Sequence, residues 1–513
     1  MNHRQAIEVI ERIEAAFDVN SLSCRNVRLW PMIRTLILWP ELLKGHTSFR
    51  KKMQPAGSGK PSGKGSAVKN FFSVWKGRWK EGPILGRYRR ILDRQLKELA
   101  TQAPVEMVFF SKDVSHTDRL EEGYFDRICD PIIDLVKDRY RCLKLEVRPK
   151  QPEATFPRVY SSFFLNTIDM AKLVDVIEHG FVLRNRVAGF NAFNKAVAEI
   201  APDLDLCEQE ILLHAGIVFY YEEILRKVLT VLKPRTVFAS GVTGVIPMGL
   251  ILACRNLRIK TADIQHGQQG KYNVKYTHWT RVPQEGYELL PDYYWCWGKP
   301  AAENIATWFA AGGVTHQPIV GGNLWAEKWF GGSAPKLEPP AQHFLEKLEA
   351  HKKVLLVTLQ PIESPLPAWF FSAVKAAPDD WYWLFRCHPV YRKRMGILED
   401  MIRSEGIENC EWQMASDLPL YALLQKTNHH MTCWSTTGYE ALLFNVPTTI
   451  IHPEGRKLFE TYVKQGLFGY AETAEGLIDS LQQTHAGRPL REPVPFIETG
   501  DDVAWQALEK MKN

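Results

Sequence analysis

The sequence HHMTCWSTTGYEALLF, residues 429–444, predicts a buried strand, a turn of hydroxyl residues and a helix in immediate succession. Two other apolar runs also end in polar residues: ADIQHG at 262–267 and WLFRCHP at 383–389. In an α/β protein, ligands bind just beyond the carboxyl ends of the strands. The three segments therefore predict one ligand site, with one segment from the first half of the fold and two from the second.

Strands and helices alternate from Val105 onward, which predicts parallel sheets joined by right-handed crossovers. The strands predicted for a first lobe are Val105–Phe110, Leu143–Val147, Arg235–Ala239, Arg258–Ile264 and Pro291–Gly298. Those predicted for a second lobe are Pro318–Val320, Val354–Thr358, Trp381–Arg386, His429–Cys433 and Pro447–Ile451. Helices are predicted at Tyr124–Asp138, Glu208–Leu232 and Val503–Lys510, the last returning to the first lobe. The predicted fold class is α/β, with two doubly wound Rossmann-type lobes facing a cleft and a helical, basic N-terminal extension.

The 513 residues exceed what one hydrophobic core usually holds, so two or three domains are expected. We predict six segments: a helical amphipathic segment 1–48, a flexible basic linker 49–69, a basic aromatic segment 70–103, a first lobe 104–297, a second lobe 298–490 and a C-terminal helix 491–513. The nine cysteines contain no C-x-x-C pair, which argues against a disulfide framework and a zinc site. Because no signal peptide pattern is found either, the expected location is the cytoplasm.

One uncharged stretch, Thr236 to Cys254, has nearly the length of a membrane-spanning helix. It contains three glycines and Pro247, however, and these favour a strand, a Gly-rich loop and a buried helix from about Met248. A transmembrane helix is the alternative, since such helices tolerate some Gly and Pro.

The positive charge of the chain is concentrated in one segment. Between Arg50 and Lys97 there are fourteen Lys or Arg residues and two acidic ones, whereas the whole chain has a net charge of +6. Within residues 69–97, Phe71, Phe72, Trp75 and Trp79 alternate with these cations. Such a segment can attach to an anionic membrane surface, bind nucleic acid or form a solvated helix. The neighbouring Trp and Leu residues of Leu29–Leu43 favour the membrane surface, so nucleic acid is not an expected partner.

The hydroxyl turn at residues 435–437 has two interpretations. Thr437 and Glu440 have the S/T-x-x-E spacing of a capping box, which satisfies free backbone N–H groups at a helix start. Alternatively, Ser435, Thr436 and Thr437 bind a phosphate at that helix start. Glu440 then reaches a sugar or ribose hydroxyl.

Two cationic residues, Arg386 and His388, flank Cys387 after the aromatic strand, and Pro389 keeps the chain extended. Because alternate residues of a strand point to the same side, both cations are predicted to converge on one phosphate. The competing interpretation is a surface arginine and a histidine that bonds only to the backbone. We favour the phosphate, because stabilising charge on a leaving group is usually a large catalytic effect.

In the first lobe, His266 is the candidate general base, since an imidazole suits proton transfer near neutral pH. Gln265 and Gly267 beside it are acceptor-side candidates, with the glycine allowing close approach to the backbone. Asp113 and His116, after the first predicted strand, are competing candidates. A structural histidine is the ordinary alternative for His266.

Together, the Gln-His-Gly, Arg-x-His-Pro and Ser/Thr-Glu-Ala segments resemble GT-B glycosyltransferases of bacterial surface polysaccharide synthesis. The nearest groups in pattern are capsule β-Kdo transferases, bacterial sialyl- and polysialyltransferases, and CDP-glycerol glycerophosphotransferases. The resemblance extends over residues 105–480 and includes Tyr124–Arg127, Asp130-Pro131 and Trp297-Gly298. It implies that His388, Ser435, Thr436 and Arg386 hold the phosphate of a cytidine nucleotide, and that His266 is the base.

From the residues and the resemblance we predict a metal-independent, GT-B-like glycosyltransferase without a cofactor, peripheral on the inner membrane through residues 69–97. The donor is expected to be a nucleotide-activated sugar, such as CMP-Kdo or CMP-sialic acid, bound by the second lobe. The first lobe binds a glycan or glycolipid acceptor. A two-lobed nucleotide-sugar epimerase and a non-catalytic polysaccharide assembly or binding protein are the alternatives.

Overall fold

The computed structural model describes residues 3–44, 85–112, 116–148, 157–309, 315–330, 334–360, 365–389, 395–482 and 496–512. The linker 49–69 and most of the basic aromatic segment therefore lie outside the described residues. In chain order the strands are β1 Ser23–Cys24, β2 Val27–Arg28, β3 Met107–Phe110, β4 His116–Leu120, β5 Gly123–Asp126, β6 Cys142–Arg148, β7 Ser162–Asn166, β8 Thr236–Ala239, β9 Lys260–Ile264, β10 Tyr293–Cys296, β11 Gln317–Val320, β12 Lys353–Thr358, β13 Trp381–Arg386, β14 Cys410–Glu411, β15 His429–Thr432, β16 Thr448–Ile450 and β17 Phe468–Tyr470.

Helices connect most of these strands. They are His3–Ala16, Trp30–Met32, Trp39–Lys44, residues 85–100, Asp130–Val136, Met170–Gly180, Phe190–Ile200, Glu208–Leu232, Val245–Asn256, Lys299–Phe309, Leu324–Phe330, Pro339–Lys347, Phe370–Ala376, Met395–Ser404, Gln413–Asp417, Leu420–Leu424, Thr437–Leu443, Pro453–Leu458, Glu460–Lys464, Ala474–Gln482 and Asp501–Lys512. Ile33–Leu38 forms a π-helical turn between the second and third of them.

The first lobe contains a parallel sheet with the strand order β11-β10-β9-β8-β3-β6-β7. From β3 the chain adds strands in one direction, and from β8 it adds them in the other. The order therefore reverses between β3 and β8, where Phe110 pairs with Ala239 at the carboxyl end. In open α/β sheets, ligands bind at such a reversal point.

The predicted placement of Pro318–Val320 in the second lobe is wrong. That strand, β11, pairs in parallel with β10 and forms an edge of the first sheet. The helix Lys299–Phe309 supplies the crossover between the two strands. A four-residue apolar strand has the same sequence pattern in either sheet, so only tertiary pairing distinguishes the two placements.

The second lobe has a parallel sheet of its own, with the order β14-β13-β12-β15-β16-β17. Its order reverses between β12 and β15, whose last paired residues are Thr358 and Thr432. The structure thus confirms the predicted α/β fold of two doubly wound lobes. In each lobe, the predicted site residues lie at the carboxyl edge of the sheet, where the strand order reverses.

The N-terminal segment is an integral part of the first lobe. Ile10, Trp30, Met32 and Ile33 are fully buried in the same hydrophobic core as the long helix Glu208–Leu232. The Trp and Leu residues of Leu29–Leu43 therefore largely pack inside the protein, so the argument they supplied for a membrane surface was wrong. A short apolar run beside a basic segment has the same composition whether it faces lipid or a core.

Two further predictions are settled by local geometry. The helix predicted at Tyr124–Asp138 is instead strand β5 followed by a helix that begins at Asp130, with Pro131 in its first turn. The uncharged stretch from Thr236 forms β8, a Gly-rich loop and the buried helix Val245–Asn256, which is the arrangement predicted in preference to a transmembrane helix.

Among the described residues, no helix combines the length and the apolar character needed to cross a bilayer. The C-terminal helix packs on the first lobe, as predicted, through Ala504 and Leu508.

Candidate functional site

A cleft with a cavity of about 150 Å³ lies between the carboxyl ends of the two sheets. Both lobes line it, and the predicted site residues found in its wall are Gln265, His266, Arg386, His388, Pro389, Ser435, Thr436, Thr437 and Glu440. Asp113 lies outside the described residues, and His116 begins β4 with a side chain that is not described.

His266 is the first-lobe residue whose side chain carries the most chemistry. It follows β9 by two residues, and its Nδ1 lies 3.3 Å from the carbonyl oxygen of Ile264. If Nδ1 donates its hydrogen there, Nε2 is the unprotonated nitrogen. The ring is exposed to the cleft, which residues of both lobes enclose. This enclosure, with Lys112 and Lys275 nearby, lowers the pKa of His266 to about 4, so the imidazole is neutral at pH 7.

A buried polar network lies behind the His266 ring. Asp263, fully buried on β9, accepts hydrogen bonds from the backbone N–H of Gly241 (3.0 Å) and from the Tyr276 hydroxyl (3.1 Å). The Lys112 ammonium donates to the carbonyl of Gly241 at 3.0 Å. Burial raises the pKa of Asp263 to about 7 in spite of the attraction of Lys112. The network joins the ends of β3, β8 and β9 at the reversal point of the sheet.

Gly241 has to be glycine for His266 to keep its position. Its φ is +84°, and an added Cβ would lie 2.8 Å from Cε1 of His266 and 3.1 Å from Nζ of Lys112. We expect Gly241→Ala to displace the imidazole and, with His266 as the predicted general base, to lower turnover about a hundredfold, because a misplaced base loses much of its effect. The measurement is kcat/KM together with Tm.

A matched control for this variant is Gly406→Ala, which also has a positive φ (+67°) but has open space around the added methyl group. The control should show the backbone strain of about 1 kcal/mol without the loss of turnover. Equal losses of turnover in both variants would contradict the steric argument.

The neighbours of His266 have different roles in the structure. The Gln265 side chain accepts from the backbone N–H of Trp297 at 2.7 Å and donates to the carbonyl of Gly267 at 3.0 Å. It therefore ties the His266 loop to the end of β10. A Cβ on Gly267 would meet no atom within 4 Å, and its φ is not positive. The described protein thus does not itself require glycine at 267, and the glycine that lies against His266 is Gly241.

In the second lobe, Ser435 organises the hydroxyl turn. Its N–H donates to Thr432 Oγ1 at 3.2 Å, and its Oγ accepts from the N–H of Thr437 at 3.2 Å. Thr436 is partly exposed in the cleft, and its hydroxyl makes no hydrogen bond to the described residues. The capping-box interpretation was wrong, because Glu440 bonds to the Tyr421 hydroxyl (2.7 Å) and not to the helix start.

The cleft floor near the hydroxyl turn contains a buried carboxyl group, Glu440, which accepts a hydrogen bond from Tyr421. Tyr421, which donates to Glu440, also accepts from the amide nitrogen of Asn323 at 2.8 Å. Burial raises the pKa of Glu440, against the attraction of Arg127. Glu440 is 7% exposed, so it meets the cavity through a small part of its surface.

Arg386 and His388 both reach the cleft, but in different ways. Nη1 of Arg386 donates to the carbonyls of Ala415 and Leu418, each at 2.6 Å, and the side chain is 8% exposed. Much of this guanidinium therefore holds the neighbouring helix end. His388 is more accessible, and burial together with the nearby Arg127 lowers its pKa.

Arg127, which follows β5 in the first lobe, is a cleft residue that was not predicted as a site residue from the sequence. It lies in the cleft wall between the carboxylates Asp118 and Glu440. Although burial opposes its charge, these carboxylates raise the pKa of Arg127. No hydrogen bond or close ion pair among the described residues uses its guanidinium. The sequence feature that could have indicated Arg127 is its place in the segment Tyr124–Arg127, which belongs to the family resemblance together with Asp130-Pro131.

No family model matches the chain, and no curated protein matches its sequence. Among solved structures, the UDP-GlcNAc 2-epimerase of Methanocaldococcus jannaschii is similar, with a TM-score of 0.48, 12% identity and coverage of 80% of this chain and 99% of that one. The Neisseria meningitidis UDP-GlcNAc 2-epimerase bound to UDP-GlcNAc has a TM-score of 0.45 and 13% identity, with coverage of 79% of this chain and 99% of that one. The wall teichoic acid polymerase TagF has a TM-score of 0.42 and 10% identity, with coverage of 87% of this chain and 92% of that one. The chain has a GT-B-like fold of two Rossmann-type lobes, as its two sheets define.

Proposed function

We propose that this protein is a glycosyltransferase that moves a sugar from a nucleotide-activated donor to a glycan or glycolipid acceptor in bacterial surface polysaccharide synthesis. The observation that supports this most is the composition of the cleft. A neutral imidazole, His266, comes from one lobe, and His388 and the hydroxyl turn come from the other. A base on one side and an anion site on the other suit transfer between two substrates held between the lobes.

In this proposal the second lobe binds the donor, a CMP-linked sugar. His388 and the hydroxyls of Ser435 and Thr436 hold the phosphate, and Arg127 approaches it from the opposite lobe. An arginine whose guanidinium has no hydrogen-bond partner among the described residues can give two parallel N–H donors to a phosphate. These side chains stabilise the negative charge that grows on the leaving nucleotide, without a bound metal.

His266 acts in the proposal as general base. The acceptor hydroxyl attacks the anomeric carbon and gives its proton to Nε2 of His266. The bond between that carbon and the phosphate oxygen breaks, and the nucleotide leaves with the electron pair. A bound anionic donor would raise the pKa of His266 from about 4 toward the range where a base is effective. Glu440 is proposed to bind a hydroxyl of the donor.

The location proposed for this reaction is the cytoplasmic face of the inner membrane. The basic aromatic segment 69–97, which the structure describes only from residue 85, would hold the protein there. Interleaved cations and aromatic side chains bind anionic lipid and its interface. The acceptor would then be presented from the membrane surface to the first lobe.

The test of the donor class is thermal-shift binding of CMP, CDP, UDP, GDP and ADP. We expect a selective rise in Tm with a cytidine nucleotide, and loss of that rise in His388→Ala. A ligand at a hundred times its Kd stabilises the folded state by about 2.7 kcal/mol, which such a measurement resolves. His343→Ala, at an exposed position of the same lobe, is the control and should keep the shift.

A second arm separates transfer from the alternatives. The donor identified by binding is incubated with the protein and an acceptor glycan, and the products are analysed by NMR. A new glycosidic linkage supports the proposal. A sugar nucleotide with one inverted centre, formed without acceptor, would favour the epimerase, and no nucleotide binding at all would favour a non-catalytic role.

A further inference from the structure

A second cavity of the first lobe shares no lining residue with the inter-lobe cleft. It is a groove with a cavity of about 510 Å³ between the helices Met170–Gly180 and Glu208–Leu232 and the helix at residues 85–100. We call it the helix groove. Neither the predicted site residues nor the proposed reaction uses it.

The floor of the helix groove is apolar. Its side chains come from all three helices and from Phe181, which follows the helix Met170–Gly180. The other floor residues are Leu92, Val176, Ile177, Phe219 and Ile224. Leu183, close to the groove in sequence, is 49% exposed. An apolar channel of this kind favours a hydrocarbon chain, since burying its methylene groups removes apolar surface from water.

The rim of the helix groove is cationic. Lys227 and Glu223 form an ion pair at 2.9 Å and cancel, which leaves Arg25, Arg89 and Arg184. Neither Arg25 nor Arg184 has an acidic partner among the described residues. A ligand in this groove therefore meets three arginines around an apolar floor.

Arg25 is held over the groove by an unusual backbone. It occupies the turn between β1 and β2 with φ +50°, a conformation that non-glycine residues rarely adopt. Its guanidinium lies 4.7 Å above the ring of Phe181 and 5.6 Å above that of Phe219. The wall also contains Asn166, whose Oδ1 is buried without a hydrogen-bond partner among the described residues. This atom can accept a hydrogen bond from a hydroxylated ligand.

We propose that the helix groove binds one anionic, hydroxylated phospholipid of a bilayer, with an acyl chain along the floor and the phosphate at the arginine rim. Charge complementarity decides the occupant. The chain's own residues 45–84 contain nine Lys or Arg and one acidic residue, so the arginine rim repels them. The proposal does not depend on the reaction proposed for the cleft.

The test is flotation of the full-length protein with vesicles of phosphatidylcholine alone or mixed with phosphatidylglycerol. We expect binding to the mixed vesicles only. Arg89→Glu with Arg184→Glu should weaken that binding about thirtyfold, since each cation at an anionic surface contributes substantially. The control is Lys347→Glu with Lys510→Glu, two exposed cations outside the groove that give the same change in net charge.

Crosslinking then locates the lipid. Phosphatidylglycerol with a photoreactive group on its acyl chain is expected to label peptides from Met170–Gly180 and Glu208–Leu232. Labelling confined to residues 45–84 would overturn the proposal, because the basic segment alone would then account for attachment. Equal weakening by the two double variants, or no vesicle binding, would overturn it as well, and an acidic protein partner would then be the better occupant.

Discussion

Replacing His266 with alanine is expected to lower kcat/KM for sugar transfer by about a hundred- to ten-thousandfold, the usual contribution of a positioned general base. The imidazole faces the cleft from the end of β9, and with Nδ1 donating to the carbonyl of Ile264, Nε2 is the nitrogen that can accept a proton. Alanine removes the proton acceptor and leaves the second lobe intact. The measurement is kcat/KM with the donor identified by nucleotide binding and a saturating acceptor.

Nucleotide binding provides the internal control for His266→Ala. The proposed phosphate ligands His388, Ser435 and Thr436 belong to the other lobe, so the cytidine-dependent rise in Tm should persist in this variant. His343→Ala should leave both turnover and binding unchanged. A His266→Ala enzyme with turnover within about threefold of wild type would remove the general base from the proposal.

The pH dependence of kcat/KM identifies the same group independently. Because the pKa of His266 is lowered to about 4, its imidazole stays neutral as the pH is lowered from 7. The neutral, basic form is lost only when the pH approaches 4. Asp263, with a pKa raised to about 7, becomes protonated at higher pH than His266 does. We expect an acid limb toward pH 4 in wild type. A limb near pH 7 that disappears in Asp263→Asn would assign the essential protonation to the buried carboxyl.

The elements that contain the predicted site were readable from the sequence because each has a strong local signal. Glu208–Leu232 is predicted and observed with the same ends, since its apolar residues continue until Lys233-Pro234. The strands before His266, His388 and Ser435 are continuous apolar runs, as buried parallel strands usually are. Within each lobe, parallel topology then brings these residues to the carboxyl edge of the sheet.

What the sequence did not predict depends on contacts between distant residues. Arg127 comes to the cleft because β5 pairs with β4, and its position opposite Glu440 joins residues from two lobes. Gly241 and Lys112 come together with Asp263 only through the pairing of β3, β8 and β9. No local pattern marks a glycine as the one that must lie against a particular histidine. The neighbouring Gly267 was the more obvious candidate on the chain.

The N-terminal segment illustrates the same limit and leads to a structural role. Its amphipathic helix was predicted, but its contacts with the loop after His266 were not. The buried carboxylate of Glu14 accepts from the indole N–H of Trp30 (2.8 Å) and from the backbone N–H of Thr280 (2.8 Å). Arg34 donates to Glu14 at 2.6 Å and to the carbonyl of Thr277 at 2.7 Å. The segment therefore holds residues 277–281, in the middle of the loop between β9 and β10 that also contains His266.

Arg34→Ala is expected to destabilise the first lobe by about 3–5 kcal/mol, the usual cost of breaking a fully buried ion pair. Arg34 and Glu14 are both 0% exposed, and the arginine also lies 4.1 Å above the ring of Trp279. Its removal leaves the Glu14 charge buried, the Thr277 carbonyl without this donor and a cavity beside an indole. Differential scanning calorimetry should show a Tm lower by on the order of 10 °C.

The control for the buried pair is Arg4→Ala, which breaks an exposed ion pair (Arg4–Glu8, 3.1 Å) on the same N-terminal helix. Surface pairs of this kind contribute about 0–1 kcal/mol, so Tm should hardly change. The double variant Glu14→Gln, Arg34→Met should recover part of the loss, because neither substituted side chain carries a charge into the core. If Arg34→Ala unfolds no earlier than Arg4→Ala, residues 3–44 do not stabilise the loop of His266, and their burial has no consequence for the site.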